Sequence, residues 1–189
     1  MNQIQATLKR ENSTVEKSLY MAFELSETKW KLAFSDGGRV KHQVIAAGAT
    51  LDLHDAIARA RRRFRLSPNS PVVSCYEAGR YGFWLHRYLE SCGIANVVVD
   101  SSSIEVSRRK RRAKTDRLDA GSLVRMLIRF CAGERRLWSV VRVPSVDEED
   151  ARHLHRELET LRDERTMHRN RMRSLLKLHG IEFSNGSRK

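Results

Sequence analysis

Between Leu19 and Val99 the chain is broken into short apolar runs whose order leaves few folds open. Leu19 to Phe23, Trp30 to Ser35 and Val40 to Ala46 are apolar or alternating stretches, separated by Ser26-Glu27-Thr28 and by the tight Asp36-Gly37-Gly38 turn. They read as three consecutive hairpin-linked strands. Leu53, Ile57, Ala60 and Phe64 then recur at helical spacing, with Thr50 as the expected cap and Pro68 and Pro71 as the expected stop. Val72 to Tyr76 reads as a buried strand. Tyr81, Trp84, Leu85, Tyr88, Leu89 and Cys92 mark a second helix that Gly93 ends, and the β-branched run Ile94 to Val99 is a further strand. A third helix is expected from Thr115 to Phe130, with Leu123, Leu127 and Phe130 inward. Three meandering strands followed by alternating helix and strand describe a mixed α/β sheet with helices on its faces.

The 189 residues suit one such domain with an extra element, and 40% hydrophobic content can fill its core. A charged fraction of 31% and a mean hydropathy of −0.55 argue against a membrane protein, and no secretory signal is read in the polar stretch Met1 to Lys17. Cys75, Cys92 and Cys131 are widely spaced, which suits a reducing, cytoplasmic setting better than a disulfide framework. The 36 Lys and Arg against 23 Asp and Glu leave a formal charge of +13, and an excess of that size calls for a polyanionic partner. Nucleic acid is the natural one, because no basic amphipathic helix with an aromatic face points to a membrane surface.

Residues 1–18 lack apolar periodicity and read as a mobile tail ahead of a domain over 19–143. After Pro144 the composition changes to a Gly- and Pro-free segment from Val146 to His179, read as a helical connector over 144–180, with 181–189 as a second tail. Positions 154, 158, 161, 165, 168, 172, 175 and 179 follow 4-3 spacing and hold Leu, Leu, Leu, Arg, His, Met, Leu and His. That is a coiled-coil pattern, and a helix of ~50 Å exceeds what the preceding core needs. The segment is therefore expected to meet a partner, either a second copy of the chain or another segment.

Four acids stand where chemistry could use them. Glu24 terminates the first strand, Glu77 follows the fourth, and Asp116 and Asp119 lie three residues apart at the start of the expected third helix. If strands one and four are neighbours, the ends carrying Glu24 and Glu77 lie side by side. Two unit charges ~4 Å apart repel by about 4 kcal/mol at an effective dielectric of 20, so such a cluster needs cations. Oxygen ligands without His or Cys select Mg2+ or Mn2+, and paired ions of this kind serve phosphodiester cleavage and strand transfer.

The run Arg108-Arg109-Lys110-Arg111-Arg112-Ala113-Lys114-Thr115-Asp116-Arg117-Leu118-Asp119-Ala120, with Tyr76-Glu77-Ala78-Gly79 upstream, resembles the DEDD-type transposases of bacterial insertion sequences. That family includes pilin-gene-inverting and bridge-RNA-guided recombinases. The resemblance implies an RNase H-like (RuvC-like) amino-terminal domain in which Glu24, Glu77, Asp116 and Asp119 bind Mg2+ or Mn2+ and are catalytic. It also implies that the chain acts on DNA in the bacterial cytoplasm, at the nucleoid, and that the metal-bearing domain helps bind DNA and a structured guide RNA. The family's first acid is usually Asp, whereas Phe23-Glu24-Leu25-Ser26 supplies Glu. Family members continue past the long helix into a domain holding a nucleophilic serine, and this sequence stops at Lys189. The expectation is thus a transposase or site-specific recombinase that lacks its serine domain and forms a homo-oligomer through the long helix. The alternatives are a non-catalytic truncated DNA- or RNA-binding module and, further off, a self-sufficient structure-selective nuclease.

Arg108, Arg109, Lys110, Arg111, Arg112, Lys114 and Arg117, beside the acidic pair, are the expected nucleic-acid contacts. The Arg59 to Arg65 cluster is open between a solvated helix face and a second backbone contact. Ser101-Ser102-Ser103 has no Gly-x-Ser-x-Gly elbow and reads as loop. His153 and His155, two apart on a helix, make a poor metal pair, and the Tyr81, Trp84, Tyr88 stripe reads as core packing rather than a base-stacking platform.

Overall fold

The computed structural model describes residues 17–79, 83–104 and 119–182. Five strands, β1 (Leu19–Leu25), β2 (Lys29–Ser35), β3 (Val40–Ala46), β4 (Val72–Glu77) and β5 (Ala95–Val99), form one sheet in the order β3-β2-β1-β4-β5. β1, β2 and β3 are an antiparallel meander, while β4 and β5 run parallel to β1. Among the described residues four α-helices accompany them: α1 (Thr50–Arg63), α2 (Trp84–Ser91), α3 (Ala120–Cys131) and α4 (Val146–Leu178). The arrangement is consistent with an RNase H-like α/β fold. Two compact units meet between Val143 and Pro144, and α4 belongs to the second.

Strand alternation divides the core in two. Met21 and Phe23 of β1, Leu32 and Phe34 of β2 and Tyr76 of β4 face α1 and α2, where Leu53, Ile57, Leu85 and Leu89 are buried. Ala22, Ala33, Cys75 and Val97 face the other way, onto Leu123, Val124, Leu127 and Phe130 of α3. The small residues on that side let α3 lie close to the sheet. A Cβ on Gly121 would come within 2.8 Å of the His42 ring, so glycine is what lets the first turn of α3 approach β3. Leu137 and Trp138 complete this second cluster, and Val99 bridges to Val140 as a short sixth extension of the sheet.

Several local expectations are corrected. Ala49, not Thr50, precedes α1, and no side chain caps that helix. The helix also ends at Arg63, before Pro68 and Pro71, through Arg65 in the left-handed region at φ 55°. α3 begins at Ala120 rather than Thr115, with Asp119 as its N-cap, so Asp119 precedes the first turn instead of lying in it. Glu77 is the last residue of β4. In α2, Leu85 and Leu89 are buried while Trp84 is 43% exposed and leans on Trp30 at the rim; the stripe is only partly core. Tyr81 lies outside the described residues, as do positions 1–16 and 183–189 of the expected tails.

In the second unit, α4 runs 33 residues from a Ser145 cap. The Ser145 hydroxyl accepts from the Glu148 backbone N–H, and the Glu148 carboxylate accepts from the Ser145 N–H, a reciprocal capping box. None of its residues is buried, and Leu154, Leu158, Leu161, Met172 and Leu175 are all exposed.

Candidate active site

The register of β1 on β4 pairs Phe23 with Tyr76, so the next residues, Glu24 and Glu77, stand side by side at the carboxyl ends of adjacent parallel strands. Because Phe23 and Tyr76 face α1 and α2, alternation puts Glu24 and Glu77 on the opposite face, the one that carries α3. Both are half-buried. Their placement follows from the meander: a parallel crossover through α1 brings β4 against β1 in the same direction, and the register that sets Leu19 opposite Val72 aligns the ends.

Glu24 has a second neighbour. It is opposite Lys31 in the β1–β2 hairpin, and the Lys31 Nζ donates to Glu24 Oε1 at 2.9 Å. The Lys31 partnership escaped the sequence reading, although hairpin arithmetic could have found it: a turn at 26–28 that pairs Leu25 with Trp30 pairs Glu24 with Lys31.

Asp119 is held in a different way. Its Oδ1 accepts from the Ser122 backbone N–H at 2.6 Å, the hydrogen bond that caps α3. That bond, aided by the nearby His42 and Arg125, holds its carboxyl below the usual carboxylate range. The carboxylate is therefore ionised at neutral pH. The approach of Gly121 to His42 sets this end of α3 toward β3, whereas Glu24 and Glu77 lie on β1 and β4. Among the described residues, no group of three or more His, Cys, Asp or Glu side chains is gathered as a metal site. Asp116 and the basic residues Arg108, Arg109, Lys110, Arg111, Arg112, Lys114 and Arg117 lie outside the described residues.

The donor chemistry at the strand ends suits a hard cation. Glu24 and Glu77 offer oxygen only, and the Glu24 carboxylate already accepts a cation in the form of the Lys31 ammonium. Asp100, at the end of β5, is a further acid in this region that the sequence reading passed over. Its Oδ1 accepts from both the backbone N–H and the hydroxyl of Ser102, so it caps the short turn at Ser101–Ser103. Those serines form a single 3-10 turn rather than the irregular loop expected.

No family model matches the chain. It is similar to proteins that carry the name of transposases. Over 169 residues it is 38% identical to "Putative transposase y4rJ" of Sinorhizobium fredii (strain NBRC 101917 / NGR234), an alignment covering 87% of this chain and 43% of the relative. Over 171 residues it is 30% identical to "Putative transposase y4qE" of the same strain, covering 87% of this chain and 40% of that protein. The chain thus spans about two fifths of the length of the curated relatives it matches. Among the described residues no helix is long and apolar enough to cross a membrane.

Proposed function

We propose that the chain works in DNA transposition, as the RNase H-like (RuvC-like) part of a DEDD-type transposase or site-specific recombinase. The observation that carries this reading is the adjacency of Glu24 and Glu77 at the ends of β1 and β4, in a chain similar to two proteins named as transposases. Glu24, Glu77, Asp116 and Asp119 are the residues that would hold Mg2+ or Mn2+. Such ions activate an attacking oxygen and stabilise a leaving one at phosphorus. The protein's own part is to orient the acids: the Ser122 N–H holds Asp119 and keeps it ionised, and the Lys31 ammonium fixes Glu24 in place. Arg108, Arg109, Lys110, Arg111, Arg112, Lys114 and Arg117 grip the phosphate backbone beside them. DNA is the substrate, with a structured guide RNA as a further partner in the bacterial cytoplasm. The exposed Leu154, Leu158, Leu161, Met172 and Leu175 of α4 pair with a second copy.

The Lys31–Glu24 ion pair favours a second reading, a non-catalytic DNA- or RNA-binding module in which lysine takes the place of metal. Calorimetric titration with Mn2+ separates the two. The transposase reading expects binding by the natural protein that is lost in Glu77→Gln and Asp116→Ala, while affinity for duplex DNA is kept or raised. Absence of Mn2+ binding by the natural protein, with DNA binding intact, selects the second reading.

A further inference from the structure

At the opposite end of the sheet from Glu24 and Glu77, a cavity of about 500 Å³ opens between the β2–β3 turn and the carboxyl end of α1. It is lined by Arg39, Lys41, Arg63 and Arg65, together with Phe64 and, as the lone acid, Asp36. Asp36 is engaged locally: its Oδ1 accepts from the Gly38 N–H at 3.2 Å. Among the described residues none of the four cations makes an ion pair, unlike Lys31 with Glu24 or Arg129 with Glu134. Four like charges around one concavity repel each other, and an anion entering it relieves that repulsion.

The backbone gives an independent sign. Arg65 occupies the position just past the helix end at φ 55°, where glycine is the favoured residue. Holding a long cationic side chain there costs stability, and such costs concentrate at ligand sites. The segment is fixed rather than loose: the Leu66 N–H donates to the Arg61 carbonyl at 2.9 Å, and Arg61 Nη2 donates to the Ser70 carbonyl at 2.6 Å. Arg61 is thus spent on structure, while Arg63 and Arg65 line the cavity.

We infer that this cavity is a second nucleic-acid contact, binding the phosphodiester backbone through Arg39, Lys41, Arg63 and Arg65. The inference rests on the nucleic-acid reading above and adds a site to it. The cavity lies on the α1 side of the sheet and the acids on the α3 side, so it is a site separate from the acidic one.

The test is the salt dependence of binding of the full chain to a 30-base-pair DNA duplex and to the RNA duplex of the same sequence, followed by fluorescence anisotropy. Each phosphate contact contributes about 0.9 to the slope of log affinity against log salt. Arg39→Gln/Arg63→Gln is expected to lower that slope by about 1.8 and to weaken binding several-fold, with Arg39→Lys/Arg63→Lys restoring both. Arg65→Gly is expected to weaken binding while leaving the melting temperature unchanged or raised, which a merely structural arginine would not do. A steep slope in the natural protein that is unaltered in the double glutamine variant overturns the cavity assignment alone. No binding, or a flat slope, in the natural protein overturns the nucleic-acid reading and this site with it. Loss with one duplex and not the other tells which nucleic acid lies in the cavity and supports the assignment.

Discussion

Lys31 of β2 and Glu24 of β1 are cross-strand partners whose charged ends meet at 2.9 Å, at the same strand end as Glu77. The pair is partly exposed, with 48% and 27% of the two side chains accessible, so its own contribution to stability is under about 1 kcal/mol. Its larger effect is on whatever cation Glu24 can hold. Lys31→Met is expected to change stability little and to tighten Mn2+ binding several-fold, because a competing positive charge is removed. Weaker or unchanged Mn2+ affinity, read by calorimetry, would argue against Glu24 as a ligand.

Asp119 serves as helix cap and candidate ligand at once, and two substitutions separate the roles. Asp119→Ala should cost about 1 kcal/mol through the lost cap, whereas Asp119→Asn should keep most of the cap and lose the charge. The folded protein holds this carboxyl below its ordinary value, chiefly through the Ser122 N–H. Its contribution is therefore present above the unfolded value near ~3.9 and is lost as pH falls through the folded one. Urea unfolding at pH 7 should show the natural protein more stable than Asp119→Asn, and at pH 3 the gap should shrink. An equal gap at both pH values would refute the assignment.

Gly121 bears on the same end of α3. An alanine there gains up to about 1 kcal/mol of helix propensity but must displace the exposed His42 ring, whose Cε1 would lie 2.8 Å from the new Cβ. Gly121→Ala should thus be close to neutral alone and stabilising by about 0.5–1 kcal/mol in a His42→Ala background. Equal effects in both backgrounds, measured by denaturant unfolding, would show that the contact is not felt.

The capping box of α4 predicts that Ser145→Ala lowers stability by about 1 kcal/mol, and Glu148→Ala by less. Far-UV circular dichroism during thermal unfolding reads the loss directly. No change in helical signal or midpoint for Ser145→Ala would mean that the cap is dispensable.

Cys75 is fully buried on the α3 face, and burial pushes its thiol far above the ordinary range, while Cys92 is exposed beside His54. A thiol reagent should modify Cys92 rapidly and Cys75 only on unfolding. Fast labelling of Cys75 in the native protein would contradict the packing of β4 under α3.

Much of the sheet was readable from the chain alone, because short apolar or alternating runs bounded by turn residues have little alternative to strands: Val40–Ala46, an edge strand with only Ile45 buried, was found as it stands after the Asp36-Gly37-Gly38 turn. The α4 segment was equally plain, since 33 residues without Gly or Pro have little alternative to a helix. Helix starts were less legible. Thr50 looked like a cap by residue type and Thr115 like a helix start, but a helix begins where the backbone turns, and that is decided by packing: α3 starts where Gly121 allows its approach to β3.

The candidate site divides along the same line. Sequence alone placed Glu24 and Glu77 at the ends of β1 and β4 to within a residue, because strand ends follow local periodicity, though it passed over Asp100 after β5. Hairpin register could have offered Lys31 as the partner of Glu24, but not that Asp119 spends an oxygen on its own helix or that Arg39 and Lys41 line one cavity with Arg63 and Arg65. The cavity joins residues up to 26 positions apart, as with Arg39 and Arg65, and exists only once the crossover through α1 has closed on the sheet. Local propensity acts over a few residues, whereas charge and packing act through space.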